Sequence, residues 1–233
     1  MFSKNTIVRT ILLGLSITTF HSAEAALING GFEDPAVSGG AGWSTPDASL
    51  VSGWNTTASD NKIEIWNDGI LGVTSYSGTQ HAELNANVVS TLFQDASGIA
   101  ANSTVGYEFA HRGRLGTDTL RLTITDLGTD NIFGGGDDNI LFTNTFSTGN
   151  TAWNLYSGTG ITALGNSIRF AFESVSSAGN FSTYGNFLDA VNFGVGVPAS
   201  VPASVPVPST VWLLGSGLLT LIGIRKKHQL NLA

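Results

Sequence analysis

Two carboxylates, Glu64 and Glu83, lie on short runs in which every second residue is apolar. In Lys62–Trp66 a period of two puts Ile63 and Ile65 on one face and Glu64 and Trp66 on the other. In His81–Asn87 the same period turns Ala82, Leu84 and Ala86 inward and His81, Glu83, Asn85 and Asn87 outward. Two acids facing one another across neighbouring strands, ~5–9 Å apart, have the arrangement of a glycosidase acid and base. An indole ring beside them suits the flat face of a pyranose. The densest cationic spot, His111-Arg112-Gly113-Arg114, brings rigid forks of donors that match a carboxylate, a sulfate or a uronic acid. Glu64, Trp66, His81, Glu83, Asn85, Arg112 and Arg114 are therefore the expected ligand-binding set. Two other readings stay open. Glu64 and Glu83 can serve a secreted glycoside hydrolase, or Arg112 and Arg114 can pair internally with Glu64, Glu83, Glu108 or Asp118 and fix the sheet. Of the four tryptophans in the body of the chain, Trp43, Trp54, Trp66 and Trp153, Trp66 is the one expected to offer an exposed ring.

Other chemistries find little support. The chain has no cysteine, so disulfides, thiolate zinc and thiol nucleophiles are excluded. Neither His81 nor His111 stands in a Gly-x-Ser-x-Gly or His-Glu-x-x-His setting, and no catalytic residue is expected.

Strands must carry these residues. Runs rich in Val, Ile, Phe, Tyr and Thr recur between clusters of Gly, Asn, Asp and Ser, the pattern of an all-β antiparallel sandwich. The expected strands are 26–32, 62–66, 81–87, 90–94, 104–112, 119–127, 139–146, 152–156, 167–174 and 186–195. In the run 167–174, Ile168, Phe170 and Phe172 point inward while Arg169 and Glu173 point outward. The loop 126–139, rich in Gly and Asp, has the oxygen donors of a calcium loop or the composition of an ordinary solvated hairpin. A second long loop, 34–59, holds Trp43 and Trp54.

The ends differ from this body. Lys4 and Arg9 precede an apolar run to Phe20, and Ala23-Glu24-Ala25 has the small-x-small form of a signal-peptidase site, so residues 1–25 are expected to be a signal peptide. The sandwich then occupies 26–197, a Pro/Ala/Ser/Val linker 198–209, and an apolar segment with a basic end 210–233. The run Val211–Ile224, broken by three glycines, is shorter than the ~20 residues of a spanning helix. Arg225, Lys226 and Lys227 place its end on the cytoplasmic side. The body keeps five cations, Lys62, Arg112, Arg114, Arg121 and Arg169, against sixteen of the seventeen acids. Such a surface repels nucleic acid and anionic lipid.

The tail Val-Pro-Val-Pro-Ser-Thr-Val-Trp-Leu-Leu-Gly-Ser-Gly-Leu-Leu (205–219) resembles the PEP-CTERM sorting signal of Gram-negative bacteria. That resemblance implies a precursor held briefly in the inner membrane, removal of the tail by an exosortase-type protease, and delivery to the cell surface or the exopolysaccharide matrix; an ordinary C-terminal anchor is the alternative. The opening Leu27-Ile-Asn-Gly-Gly-Phe-Glu33 and the closing Gly185-Asn-Phe-Leu-Asp-Ala-Val-Asn-Phe193 resemble the two ends of galactose-binding-like jelly-roll domains, among them many carbohydrate-binding modules. This second resemblance implies a jelly roll, a polysaccharide partner, and a structural calcium ion (Ca2+) shared by Glu33 and Asp189.

Overall fold

A computed structural model describes residues 27–37, 40–165 and 167–197. The proposed signal peptide, the linker and the apolar segment lie outside the described residues, among which no helix is long and apolar enough to cross a membrane. Eleven strands follow one another: β1 Trp43–Ser44, β2 Asn55–Thr56, β3 Glu64–Asn67, β4 Gln80–Glu83, β5 Thr91–Ser97, β6 Thr104–Arg112, β7 Asp118–Asp126, β8 Asn139–Thr148, β9 Asn154–Thr162, β10 Ser167–Ser176 and β11 Phe187–Val195. They form a six-stranded sheet, β1-β3-β4-β11-β6-β9, and a five-stranded sheet, β2-β5-β10-β7-β8. Every pairing is antiparallel. The four-strand orders β4-β11-β6-β9 and β5-β10-β7-β8 are those of two interleaved Greek keys, which makes the sandwich a jelly roll.

Alternation builds the core between the sheets. Ile63, Ile65, Ala82, Leu84, Phe109, Leu122, Ile168, Phe170 and Phe172 all pack there and are buried. Aromatic rings knit the centre: Phe109 meets Phe146, Phe172 and Tyr156 at 5.1, 5.1 and 5.6 Å between centroids. Trp54 stacks on Phe32 at 4.9 Å, so this tryptophan is core.

The segment 26–32, expected as a strand, is none over its described part, 27–32. Asn29 and Phe32 have left-handed backbones, which break the extended run of a strand twice within six residues. Instead the Gly30 carbonyl accepts the Val191 amide of β11 at 2.9 Å, and a side chain at Gly30 would strike the Val191 carbonyl. Gly30, the first glycine of the opening motif, is thus explained by close backbone approach to the last strand.

Phe109→Ala removes the ring that joins both sheets. It is expected to lower unfolding free energy by ~3–5 kcal/mol, read from urea denaturation followed by tryptophan fluorescence.

Candidate functional site

On the outer face of the six-stranded sheet, register places Glu64 directly opposite Glu83 and Trp66 opposite His81. Phe187 of β11 lies beside Glu83 on one side and Arg112 of β6 on the other. Most of the expected set is therefore assembled on one face, as alternation requires. That face is not open. Glu64, Trp66, His81, Glu83 and Asn85 are all buried, Trp66 at 2% exposure and Glu83 at 0%.

The cover comes from loops. Arg114, in the turn after β6, lays its guanidinium over Trp66 at 4.8 Å and over Tyr184 at 3.9 Å. The same guanidinium holds both oxygens of Glu83 at 3.0 and 3.1 Å. The Gly185 amide donates to Glu83 from the other side. Trp43 stacks on Trp66 at 6.2 Å, and the exposed ring is that of Trp43, at 44%. Trp66 is thus not the exposed ring that alternation suggested. Period two tells which sheet face a side chain leaves from, and says nothing of loops folding back over that face. Arg114 takes the internal pairing with Glu83, and Arg112 gives Nη2–H to the Asn150 carbonyl at 2.6 Å. Asn85 donates to the Tyr184 carbonyl at 3.2 Å.

Electrostatics follow from this enclosure. Burial, then the Glu83 charge opposite, pushes Glu64 up to about 8. Glu83 is raised by burial and held back by Arg114. With two guanidinium hydrogen bonds on Glu83, the charge of the pair belongs there and the shared proton to Glu64. His81 is driven down to about 4 by burial. Its Nδ1 meets the Ser75 hydroxyl at 2.9 Å while the ring stacks on Trp66. His111 is likewise pushed to about 4 by burial; it faces the core, bonded to Thr148 and Asn186. Neither histidine is placed for proton transfer to a solvent-borne substrate.

Glu33 and Asp189 hold one loop, 77–80, from its two sides. Glu33 accepts the Thr79 and Gln80 amides at 2.7 and 3.0 Å and the Thr79 hydroxyl at 2.7 Å. Asp189 accepts the Ser77 amide at 2.9 Å. Gly78, between them, has φ +64, and a side chain there would collide with the Glu33 carboxylate. Burial raises Asp189 to about 7, and the Glu33 charge adds to the rise. Two carboxylates in one corner, with no nitrogen or sulfur donor, suit a hard cation. Among the described residues no three His, Cys, Asp or Glu side chains converge as a metal centre, so backbone carbonyls would have to complete the shell.

The loop 126–139 uses its acids as turn acceptors. Asp126 takes the Gly128, Leu164 and Gly165 amides, Asp137 the amide and hydroxyl of Thr129, and Asp130 the Ile132 amide. This is the hairpin alternative, with no convergence on an ion.

An open depression lies on the other sheet. A groove of about 460 Å³ runs over β5, β10 and β7, lined by Thr57, Thr91, Phe93, Thr123, Thr125, Phe133, Asp138, Ile140, Arg169, Ala171 and Glu173. Phe133, from the loop before β8, is 55% exposed and forms its wall. Arg169 lies between Phe93 and Phe133, at 3.8 and 4.4 Å from the ring centres. Asp95 fixes that guanidinium with two bonds of 2.7 and 2.8 Å. The sequence marked Arg169 and Glu173 as outward but did not single them out. The available signal was the Thr-x-Thr of β7 beside Phe93, one face of small hydroxyls flanked by a ring.

No protein-family model matches the chain, and no curated protein matches it. Among solved structures it is similar to a CBM61 module in complex with β-1,4-galactotriose (14% identity, TM-score 0.46, covering 74% of this chain and 98% of that one). It is also similar to the Clostridium thermocellum xylanase 10B CBM22-1–GH10 modules complexed with xylohexaose (14%, 0.47, 76% and 30%). A third is the CBM22-1 xylan-binding domain from Paenibacillus barcinonensis Xyn10C (16%, 0.44, 77% and 99%). These likenesses concern the arrangement of strands.

Buried ionisable groups make a pH prediction. Glu64 and Asp189 have raised folded values, so the stability tied to their protons is full below the ordinary carboxylate range and is lost as pH rises through about 7 to 8. His81 and His111 have lowered values, so their contribution is present above 6.5 and lost as pH falls towards 4. The two trends oppose one another below pH 6.5. Above it only the carboxyls titrate, and the urea midpoint is expected to fall between pH 6.5 and 8. Glu64→Gln should flatten that fall, and an unchanged slope in the variant would contradict the assignment of the proton to Glu64.

Proposed function

We propose that this is an exported, non-catalytic carbohydrate-binding protein of a bacterial cell surface or exopolysaccharide matrix, with the groove on the five-stranded sheet as its binding face. The groove itself is the observation that carries the reading. It combines two phenyl rings, a row of threonine hydroxyls and a clamped guanidinium beside Asp138 and Glu173. Rings give a sugar its apolar contact, and fixed polar groups give orientation at little ordering cost. The enclosure of Glu64 and Glu83 beneath Arg114 disfavours a glycosidase acting through them.

The export signal and the tail support the location. In this reading an exosortase-type protease cuts near residues 205–209 and frees the body from the inner membrane. Calcium belongs to the same proposal: held by Glu33 and Asp189, the ion would join the opening of the domain to its last strand and stabilise only the folded state.

Binding is tested on a polysaccharide array with the exported protein, including the matrix polymer of its own host. Phe133→Ala, which removes an exposed ring, is expected to weaken a bound glycan about tenfold, ~1.4 kcal/mol, by titration calorimetry. Absence of binding to any polymer would overturn the reading.

Calcium is tested separately. Millimolar calcium should raise the melting temperature over that in EDTA, and Asp189→Asn should abolish the rise. No shift in the unaltered protein would remove the ion from the proposal.

A further inference from the structure

The two sheets end very differently on their two sides. At one side stand β1 and β2, each two residues long, which is how natural sheets blunt an edge. At the other stands β8, ten residues long and last in the order β2-β5-β10-β7-β8. From Asn139 to Ile168 there is no charged residue and no proline, so between its bulge at Leu141 and Ser147 β8 has neither charge nor proline to guard it against pairing.

Its sequence is complementary to itself. Phe142 and Phe146 lean onto the core, and the even-numbered face they share also carries Asn144. Thr143, Thr145 and Ser147 occupy the outer face, where Thr143 meets Thr123 at 3.3 Å and Ser147 meets Thr119 at 2.8 Å. Away from β7, the Thr145 amide turns to the Asn144 side chain at 2.9 Å and the Ser147 carbonyl to the Tyr156 hydroxyl at 3.0 Å. Odd-numbered residues therefore point their backbone groups at the free edge.

We propose that β8 pairs antiparallel with β8 of a second copy of this chain, about a twofold axis through Asn144, joining two five-stranded sheets into one. This register sets Phe142 opposite the partner's Phe146 and Thr143 opposite the partner's Thr145, so like meets like on both faces. Thr143 and Thr145 exchange amide bonds with the partner, and the hydroxyl rows of β7 and β8 continue across the axis. A second copy is the fitting occupant because two acidic bodies repel least where neither carries charge. The bulge at Leu141, between the pairs Ile124–Phe142 and Thr125–Ile140, ends the pairing on one side, and Tyr156 ends it on the other. The dimer would carry two grooves on one continuous sheet.

The absence of cysteine makes the test direct. Asn144→Cys places one thiol at the axis, where non-hydrogen-bonded partners stand ~4.5 Å apart between Cα atoms, within reach of a disulfide. Mild oxidation of the exported protein should give a covalent dimer, at least about tenfold more than Ser59→Cys, an exposed control beside the opposite edge. Asn144→Lys, at an exposed position, should keep the near-ultraviolet dichroism and move sedimentation to the monomer. Equal cross-linking in the two cysteine variants would overturn the proposal. So would association that survives Asn144→Lys, which would place contact at the apolar tail, or a protein that is monomeric throughout and pairs only with a strand of another polypeptide.

Discussion

The bond between Arg114 and Glu83 closes the polar patch on the outer face of the six-stranded sheet. Glu83 is wholly buried at the middle of a four-strand row, Glu64–Glu83–Phe187–Arg112, and an unpaired carboxylate there would be very costly. Arg114 reaches it only because the turn after β6 folds back. Asp118 fixes that turn by accepting the Arg114, Ala178 and Asn186 amides at 2.8, 2.7 and 3.0 Å. One buried acid thus holds the loop that neutralises the other. Once the guanidinium is in place it also lies on Trp66 and Tyr184, so the charge pair and the aromatic cover form or fail together.

With no disulfide available, the ends of the domain are held by carboxylates gripping amides. Glu33 and Asp189 take the loop 77–80 from two sides, and the opening segment lies along β11 through Gly30 and Val191. The bonds to Glu33 and Asp189 have an ionised or ionisable acceptor, which makes them stronger than neutral ones. It also makes the closure of the fold sensitive to pH and to cations, where a disulfide would be indifferent to both.

Much of the fold was legible because burial on one face imposes a period of two. The strands from β3 to β11 fall where the alternation of Ile63 and Ile65, Ala82 and Leu84, and Ile168, Phe170 and Phe172 requires. The segment 27–32 escaped because two left-handed residues break an otherwise strand-like run. The gathering of Glu64, Trp66, His81 and Glu83 on one face was equally legible, since register and alternation are local. Their closure was not: it depends on Arg114, Trp43 and Tyr184, which lie 21 to 120 residues from the members of the group in sequence. The groove escaped for the same reason, because Phe133 sits in a Gly-rich turn whose composition announces a loop and conceals the wall it builds.

The two outer faces then divide the work by chemistry. On the six-stranded sheet Glu64, Glu83 and Arg114 are enclosed among rings, which fixes the loops above them, and Trp43, Tyr76 and Leu155 are among the side chains left exposed. On the five-stranded sheet threonine is the commonest outward side chain, and Arg121–Glu173 and Arg169–Asp95 are neutralised in pairs. Threonine satisfies its own hydroxyl with a neighbouring strand and still presents a methyl group and a lone pair to solvent. A face of this kind costs little to desolvate compared with one of free charges. That is the property a surface needs if it is to accept a neutral polymer, and β8 continues it to the edge of the sheet.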